Sequence, residues 1–255
     1  MTVRLFYTIC LAFCFLCITV SCAGSQKETE RQNEIETDYQ MALGYYNNNQ
    51  VPEAMRYLTL VLANEPGHAD ANSLMGVIRL GRGQYQEAIK HFKTAIQTKP
   101  DCLVCKNNLG TAYLYLEQYE EATPIFKELS TSPLYTSPWV AFVNLGWAYY
   151  KMGMIQEAIE ETEMSVTLNP DLCLGFNNLG IMYHDVGRDQ DALEQLQEAI
   201  RLCPNYAEPY LHMGMIYNAQ NDNSQAYQAF VKCASLTPKS DLGKRCQKNA
   251  SIVVQ

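Results

Sequence analysis

The sequence predicts an all-α protein: a right-handed α-solenoid of six helix pairs closed by a C-terminal capping helix. Three interlocking periodicities carry the prediction. Glycine recurs at Gly76, Gly110, Gly146, Gly180 and Gly214, in steps of 34, 36, 34 and 34 residues. Alanine keeps the same interval at Ala54, Ala88, Ala122, Ala158, Ala192 and Ala226, and proline at Pro66, Pro100, Pro170, Pro204 and Pro238. Self-similarity at one fixed period means that a single supersecondary unit is stacked on its own copies, because one unit cannot bury its apolar face alone.

The units run over 35–68, 69–102, 103–138, 139–172, 173–206 and 207–238. Each is expected to be a helix, a short turn and a second, antiparallel helix. The recurrent glycine or alanine marks where two helices cross, since a larger side chain would push the backbones apart. The proline ends the second helix because it lacks an N–H and restricts the residue before it. With the glycine set as position 8, position 11 is Tyr45, Tyr113, Tyr149, Tyr183 and Tyr217, and position 24 is Leu58, Phe92, Phe126, Thr162, Leu196 and Phe230. This pattern resembles the tetratricopeptide repeat, which implies that large residues at position 24 fill the space left by the small ones.

Two details depart from it. The third unit is two residues longer, which places a bulged loop over residues 130–138, and Pro124 sits early in a second helix, where only a mild kink is expected. After Pro238, Ser240 can cap a last helix within 239–255 whose apolar stripe is Leu242, Cys246, Ala250 and Val253. Lys239, Lys244, Arg245 and Lys248 fall off that stripe, giving the polar back that an open solenoid end requires.

Residues 1–22 are of another kind: Arg4, an uncharged apolar run from Leu5 to Val20, then Ser21-Cys22. This order reads as an export signal, and the run is short for a membrane span of about 20 residues. Thr19-Val20-Ser21-Cys22 resembles the bacterial lipobox, which implies lipidation of Cys22 and, with Ala23 following, an outer-membrane location; cleavage after Ala23 is the alternative. Residues 23–34 are polar and aperiodic, and are expected to form a flexible tether reaching roughly 40 Å. Loss of Arg4 with the signal takes the net charge from −8 to −9, so nucleic acid is not the expected partner.

Ten cysteines are present. Cys10, Cys14 and Cys17 leave with the signal, and six remain beyond Cys22. An even number in an exported chain points to disulfides. The repeat frame places Cys173 and Cys203 at the same edge of unit five, and Cys233 opposite Cys246 on the capping helix. Cys102 and Cys105 are left as a local C-x-x-C pair. Zinc needs four ligands, and one such pair supplies two. A thiol oxidoreductase built on Cys102 and Cys105 is the enzymatic alternative, although the motif sits at a repeat boundary instead of a strand-to-helix turn.

His68, His91, His184 and His212 share no metal-ligand spacing, and no nucleophile elbow, zinc motif or phosphate loop occurs. Asp70, Glu87, Asp185 and Glu208 read as scattered surface acids. The expectation is a protein without catalysis, metal or cofactor. Its asset is the concave face, where Tyr39, Tyr46, Val143, Trp147, Tyr150, Ile181, Leu211 and Met215 are expected to form an apolar groove, with Asn108, Asn144 and Asn178 beside it. Such a groove marks a binding site for an amphipathic helix or an extended apolar segment. With Trp147 in the open, Trp147→Ala is expected to spare stability and weaken binding.

Signal, lipobox-like cysteine and six repeats together resemble the pilotins of type IV pilus biogenesis, outer-membrane lipoproteins built of tetratricopeptide repeats. The resemblance implies a lipid-anchored protein facing the periplasm that binds subunits of the secretin and assists their localisation and multimerisation. A scaffold for other envelope enzymes, such as cell-wall hydrolases, is the alternative.

Overall fold

The computed structural model describes residues 26–253, which are helix and turn without a strand among them. Twelve helices fall into six successive pairs: α1 (26–47) with α2 (Val51–Asn64), α3 (Ala69–Gly81) with α4 (Tyr85–Thr98), α5 (Leu103–Tyr115) with α6 (Tyr119–Thr131), α7 (Pro138–Lys151) with α8 (Ile155–Leu168), α9 (Cys173–Asp185) with α10 (Asp189–Leu202), and α11 (Glu208–Ala219) with α12 (Asn223–Leu236). A single helix, α13 (Asp241–Val253), follows. The chain divides into two compact units, the first reaching Cys105 and the second beginning at Lys106. The all-helical, repeat-built class read from the sequence is the one observed.

The expected tether is different. Residues 26–34 are helical and continue directly into α1. Gln26, Lys27, Glu28, Glu30, Arg31 and Gln32 are good helix formers, and the extension is held at its base: Ile35 is buried in the first unit's core, and Arg31 Nη2 donates to the Asn64 carbonyl at 2.7 Å. Residues 1–25, with the export signal, Cys22 and the start of the tether, lie outside the described residues.

Within a pair, the small residues act at close quarters. A Cβ on Gly76 would stand 2.6 Å from Phe92 Cε1, and one on Gly146 would meet the Thr162 hydroxyl and the Ala158 carbonyl. The position-24 residues Leu58, Phe92, Phe126, Thr162, Leu196 and Phe230 are all buried. Where the apolar filler is replaced by Thr162, its hydroxyl is satisfied by donating to the Ala158 carbonyl at 2.7 Å.

A second periodic feature escaped the sequence reading. The turn inside each pair places one residue in the left-handed region: Asn49 (φ 59°), Gly83 (71°), Glu117 (58°), Gly153 (81°), Gly187 (77°) and Asn221 (60°). The next amide then bonds the carbonyl five residues back, as in Gln118 to Tyr113 and Asp222 to Tyr217, both at 2.9 Å. This Schellman-type closure satisfies the last carbonyls of the first helix. Glycine and asparagine adopt that conformation readily, whereas glutamate is held there against the clash of its Cβ. Glu117→Gly is therefore expected to raise stability by about 1 kcal/mol, read as a higher denaturation midpoint; a lower midpoint would show that the Glu117 side chain compensates for its backbone.

The lengthened connection is the non-helical stretch 132–137 between α6 and α7. Pro124 lies inside α6, just beyond its first turn, and the helix runs on through it. Preceding it, Thr123 Oγ1 donates to the Tyr119 carbonyl at 2.8 Å. At the C-terminal end, Ser240 caps α13 by accepting from the Gly243 amide at 3.0 Å. Cys246 and Ala250 are buried against α11 and α12, with Leu242 and Val253 packed beside them. Among the described residues three disulfides tie the chain: Cys102–Cys105, Cys173–Cys203 and Cys233–Cys246, with Cα separations of 5.2, 6.1 and 6.0 Å.

Candidate functional site

First helices of successive pairs in the second unit present one face to a common cavity of about 240 Å³. Thr111, Leu114 and Tyr115 come from α5, Asn144 and Trp147 from α7, Leu174, Asn177, Asn178 and Ile181 from α9, and Glu208 from the start of α11. The spacing explains the selection: Asn144 and Trp147 are three residues apart, while Leu174, Asn177, Asn178 and Ile181 are three, four and seven apart, so each set occupies one stripe of its helix.

Trp147 is the largest side chain of the wall. It is half-buried, packs against the core around Leu179 and Met182, and lies 5.2 Å from the Tyr150 ring, with Lys151 Nζ 5.3 Å above its own ring. Tyr150 itself turns away to donate to Asp185 Oδ2 at 2.6 Å. Burial and that bond push its phenol well above the ordinary range, so it stays a neutral donor.

The groove expected from sequence is thus only partly assembled. Trp147 and Ile181 meet in the cavity, but Val143 and Leu211 are core residues, 2% and 1% exposed. The reason is packing on several sides. Helix α7 is flanked by α6, α8 and α9, and Leu211 belongs to the cluster that α12 and α13 close with Phe230, Cys233 and Cys246. Met215 is 36% exposed outside the cavity, with Arg245 Nη2 3.8 Å from its sulfur. Tyr39 and Tyr46 pack within the first unit, Tyr39 with its ring 5.2 Å from that of His68. Leu174, Tyr115 and Glu208 join the site without having been expected there. Glu208, read as a scattered surface acid, is a wall residue whose Oε2 accepts from the Tyr206 hydroxyl at 3.0 Å.

Buried asparagine side chains divide sharply. Asn72, in the first unit, is buried and saturated: Nδ2 donates to the Pro66 and His68 carbonyls at 2.9 and 3.0 Å, and Oδ1 faces His91 Nδ1 at 2.9 Å. By contrast Asn177 Oδ1, on the cavity wall, and Asn107 Oδ1, one turn before Thr111, are buried without a hydrogen-bond partner.

Close by, desolvation lowers the pKa of His212 to about 4, helped by the nearby Arg245 and His184 and opposed by Asp185. The folded protein therefore holds His212 neutral while the unfolded chain protonates near 6.5. Its contribution to stability is complete above pH 6.5 and is lost as pH falls from 6.5 toward 4. Between pH 7.5 and pH 5 the loss is on the order of 2 kcal/mol. Melting curves should show this drop, and His212→Gln should flatten it; an unaltered pH profile in the variant would assign the acid sensitivity elsewhere.

Among the described residues no three His, Cys, Asp or Glu side chains gather in a way that could hold a metal ion, and no helix is long and apolar enough to cross a membrane.

Comparison with known proteins places the fold. A family model described as tetratricopeptide repeat matches residues 141–172 and 207–240, and one described as TPR repeat matches 180–221. Between them these two models cover the last three helix pairs, α7 to α12, as tetratricopeptide repeats. A model of subunit 3 of the anaphase-promoting complex, or cyclosome, also matches 37–129. Among curated proteins, this chain is similar to the type IV pilus assembly protein PilF of Pseudomonas aeruginosa, with 28% identity over 154 residues, which is 60% of this chain and 61% of that protein. Among solved structures, that of PilW, described as a widely conserved type IV pilus biogenesis factor, superposes with a TM-score of 0.73 at 20% identity, covering 84% of this chain and 98% of the other. The structure of Pseudomonas aeruginosa PilF superposes with a TM-score of 0.69 at 21% identity, covering 86% and 99%. At these identities the structural likeness is one of fold.

Proposed function

We propose that this protein is a non-enzymatic scaffold of type IV pilus assembly, a pilotin that binds secretin subunits and assists their localisation and multimerisation. In this reading it is anchored in the outer membrane by lipid on Cys22 and faces the periplasm. The observation that carries the reading is the 28% identity over 154 residues to a type IV pilus assembly protein. Three further features support it. The fold likeness extends over nearly the whole length of two pilus factors, an apolar run from Leu5 to Val20 is followed by Ser21-Cys22, and the disulfides suit an oxidising compartment. Tetratricopeptide repeats bind protein segments on their first-helix face, and the cavity around Trp147 is the surface assigned to that contact.

The test is genetic and biochemical together. Cells lacking the protein should assemble fewer secretin multimers and fewer pili, and the tagged full chain should retain secretin subunits from detergent-solubilised envelopes. The Cys22→Ala variant should leave the outer-membrane fraction. Normal multimers in the deletion strain would sink the reading, and retention of cell-wall hydrolases in place of secretin would redirect it to a different scaffold.

A further inference from the structure

We propose that the cavity of the second unit holds an extended peptide segment, with one bulky apolar side chain against Trp147 and Ile181, its main-chain N–H given to Asn177, and a lysine or arginine beside Glu208. This rests on reading the chain as a protein-binding scaffold and specifies the chemistry of the partner segment.

The first support is an unmet acceptor. Asn177 is 1% exposed, forms part of the cavity wall, and its Oδ1 has no donor. A buried acceptor without a partner costs about 1–3 kcal/mol, and two buried hydroxyls of this unit avoid such a cost, Ser165 by donating to the Trp139 carbonyl at 2.9 Å and Thr162 to that of Ala158. Rotation about the soft χ2 torsion brings Oδ1 toward a donor entering the cavity. Asn107, at the equivalent position two repeats earlier, repeats the same unmet acceptor.

That chemistry chooses between the two shapes a peptide can take. A bound helix has already spent its N–H groups on its own carbonyls, apart from the first turn. An extended segment offers a free N–H on the same edge at every second residue. The volume agrees: about 240 Å³ is below the range of about 300–1,000 Å³ typical of small-molecule sites, and suits a side chain.

Charge fixes the remaining feature. Glu208 is the one ionisable carboxylate among the lining residues, and no cation lines the cavity. The neighbouring cations have partners, Lys106 with Glu128 at 2.6 Å and Lys151 over the Trp147 ring. Tyr206 engages one oxygen of Glu208 and leaves Oε1 for a cation. An acidic segment would meet repulsion and find no counter-charge.

The experiment uses fluorescence anisotropy with the full chain and blocked, labelled hexapeptides that carry one central leucine or phenylalanine flanked by arginine, alanine or glutamate. The arginine peptide should bind at least about tenfold more tightly than the glutamate peptide, and Glu208→Gln should erase the difference. Methylating the amide next to the apolar residue should cost about fivefold or more, and so should Asn177→Leu, which should leave the melting temperature unchanged or higher because it removes an unmet acceptor. Equal affinity for the arginine and glutamate peptides, no binding by about 1 mM, or a lower melting temperature in Asn177→Leu with unaltered peptide affinity would overturn the proposal. If secretin capture persists in that case, only this inference fails. If the arginine preference holds while secretin is not retained, the segment chemistry stands and the pilus reading falls.

Discussion

Replacing Cys173 and Cys203 together by serine is expected to lower the stability of the second unit by about 3.5 kcal/mol. The bridge joins the first residue of α9 to the residue after the end of α10, across a sequence separation of 30. Holding those ends together removes a large loop's worth of freedom from the unfolded chain. The shorter separations of 13 for Cys233–Cys246 and 3 for Cys102–Cys105 predict smaller losses of about 3 and 2 kcal/mol. Urea denaturation of the three double-serine variants should reproduce this order. A wild-type midpoint that does not move on adding reductant would show that the bridges contribute nothing in solution.

Trp147→Ala is expected to weaken binding of secretin subunits by at least about tenfold and also to cost about 2 kcal/mol of stability. Both losses follow from where the ring sits. One part lines the cavity with Ile181 and Leu114; the rest packs on the core around Leu179 and Met182 beside Tyr150. The sequence alone pointed to a purely exposed anchor, and half-burial changes that expectation. Trp147→Phe separates the two roles: it keeps most of the packing, and should recover more stability than affinity. Undiminished secretin binding by folded Trp147→Ala would remove this cavity from the function.

The fold was legible because the repeat writes the same constraint several times. A glycine facing a buried residue at position 24, as in Gly76 against Phe92, leaves a mark in five of the six units, and a proline after each second helix marks the boundary. The groove was legible only to one-residue resolution in angle. Neighbouring positions on a helix differ by about 100°, and α7 is covered on three sides, so Asn144 reaches the cavity while Val143 is in the core. Glu208 was invisible for another reason: an acid at the start of a helix is explained well enough by its local end, and only the fold brings it beside Asn178 and Ile181. The helical residues 26–34 were missed because their polarity resembles that of a linker, whereas their order comes from Ile35 and Arg31 anchoring one end.

The placing of the bridges has a mechanical consequence for the cavity. Its α9 wall belongs to a helix pair stapled covalently by Cys173–Cys203, and the α5 and α7 walls belong to pairs without such a link. Local opening is governed by the weakest cooperative segment. The cavity is therefore a vice with one fixed jaw. An arriving segment can be admitted by breathing of α7, while Asn177 and Ile181 keep their positions. Native-state hydrogen exchange should register the asymmetry, with the interior amides of α7 opening at lower free energy than those of α9, and reduction of Cys173–Cys203 should erase it by loosening the fixed jaw.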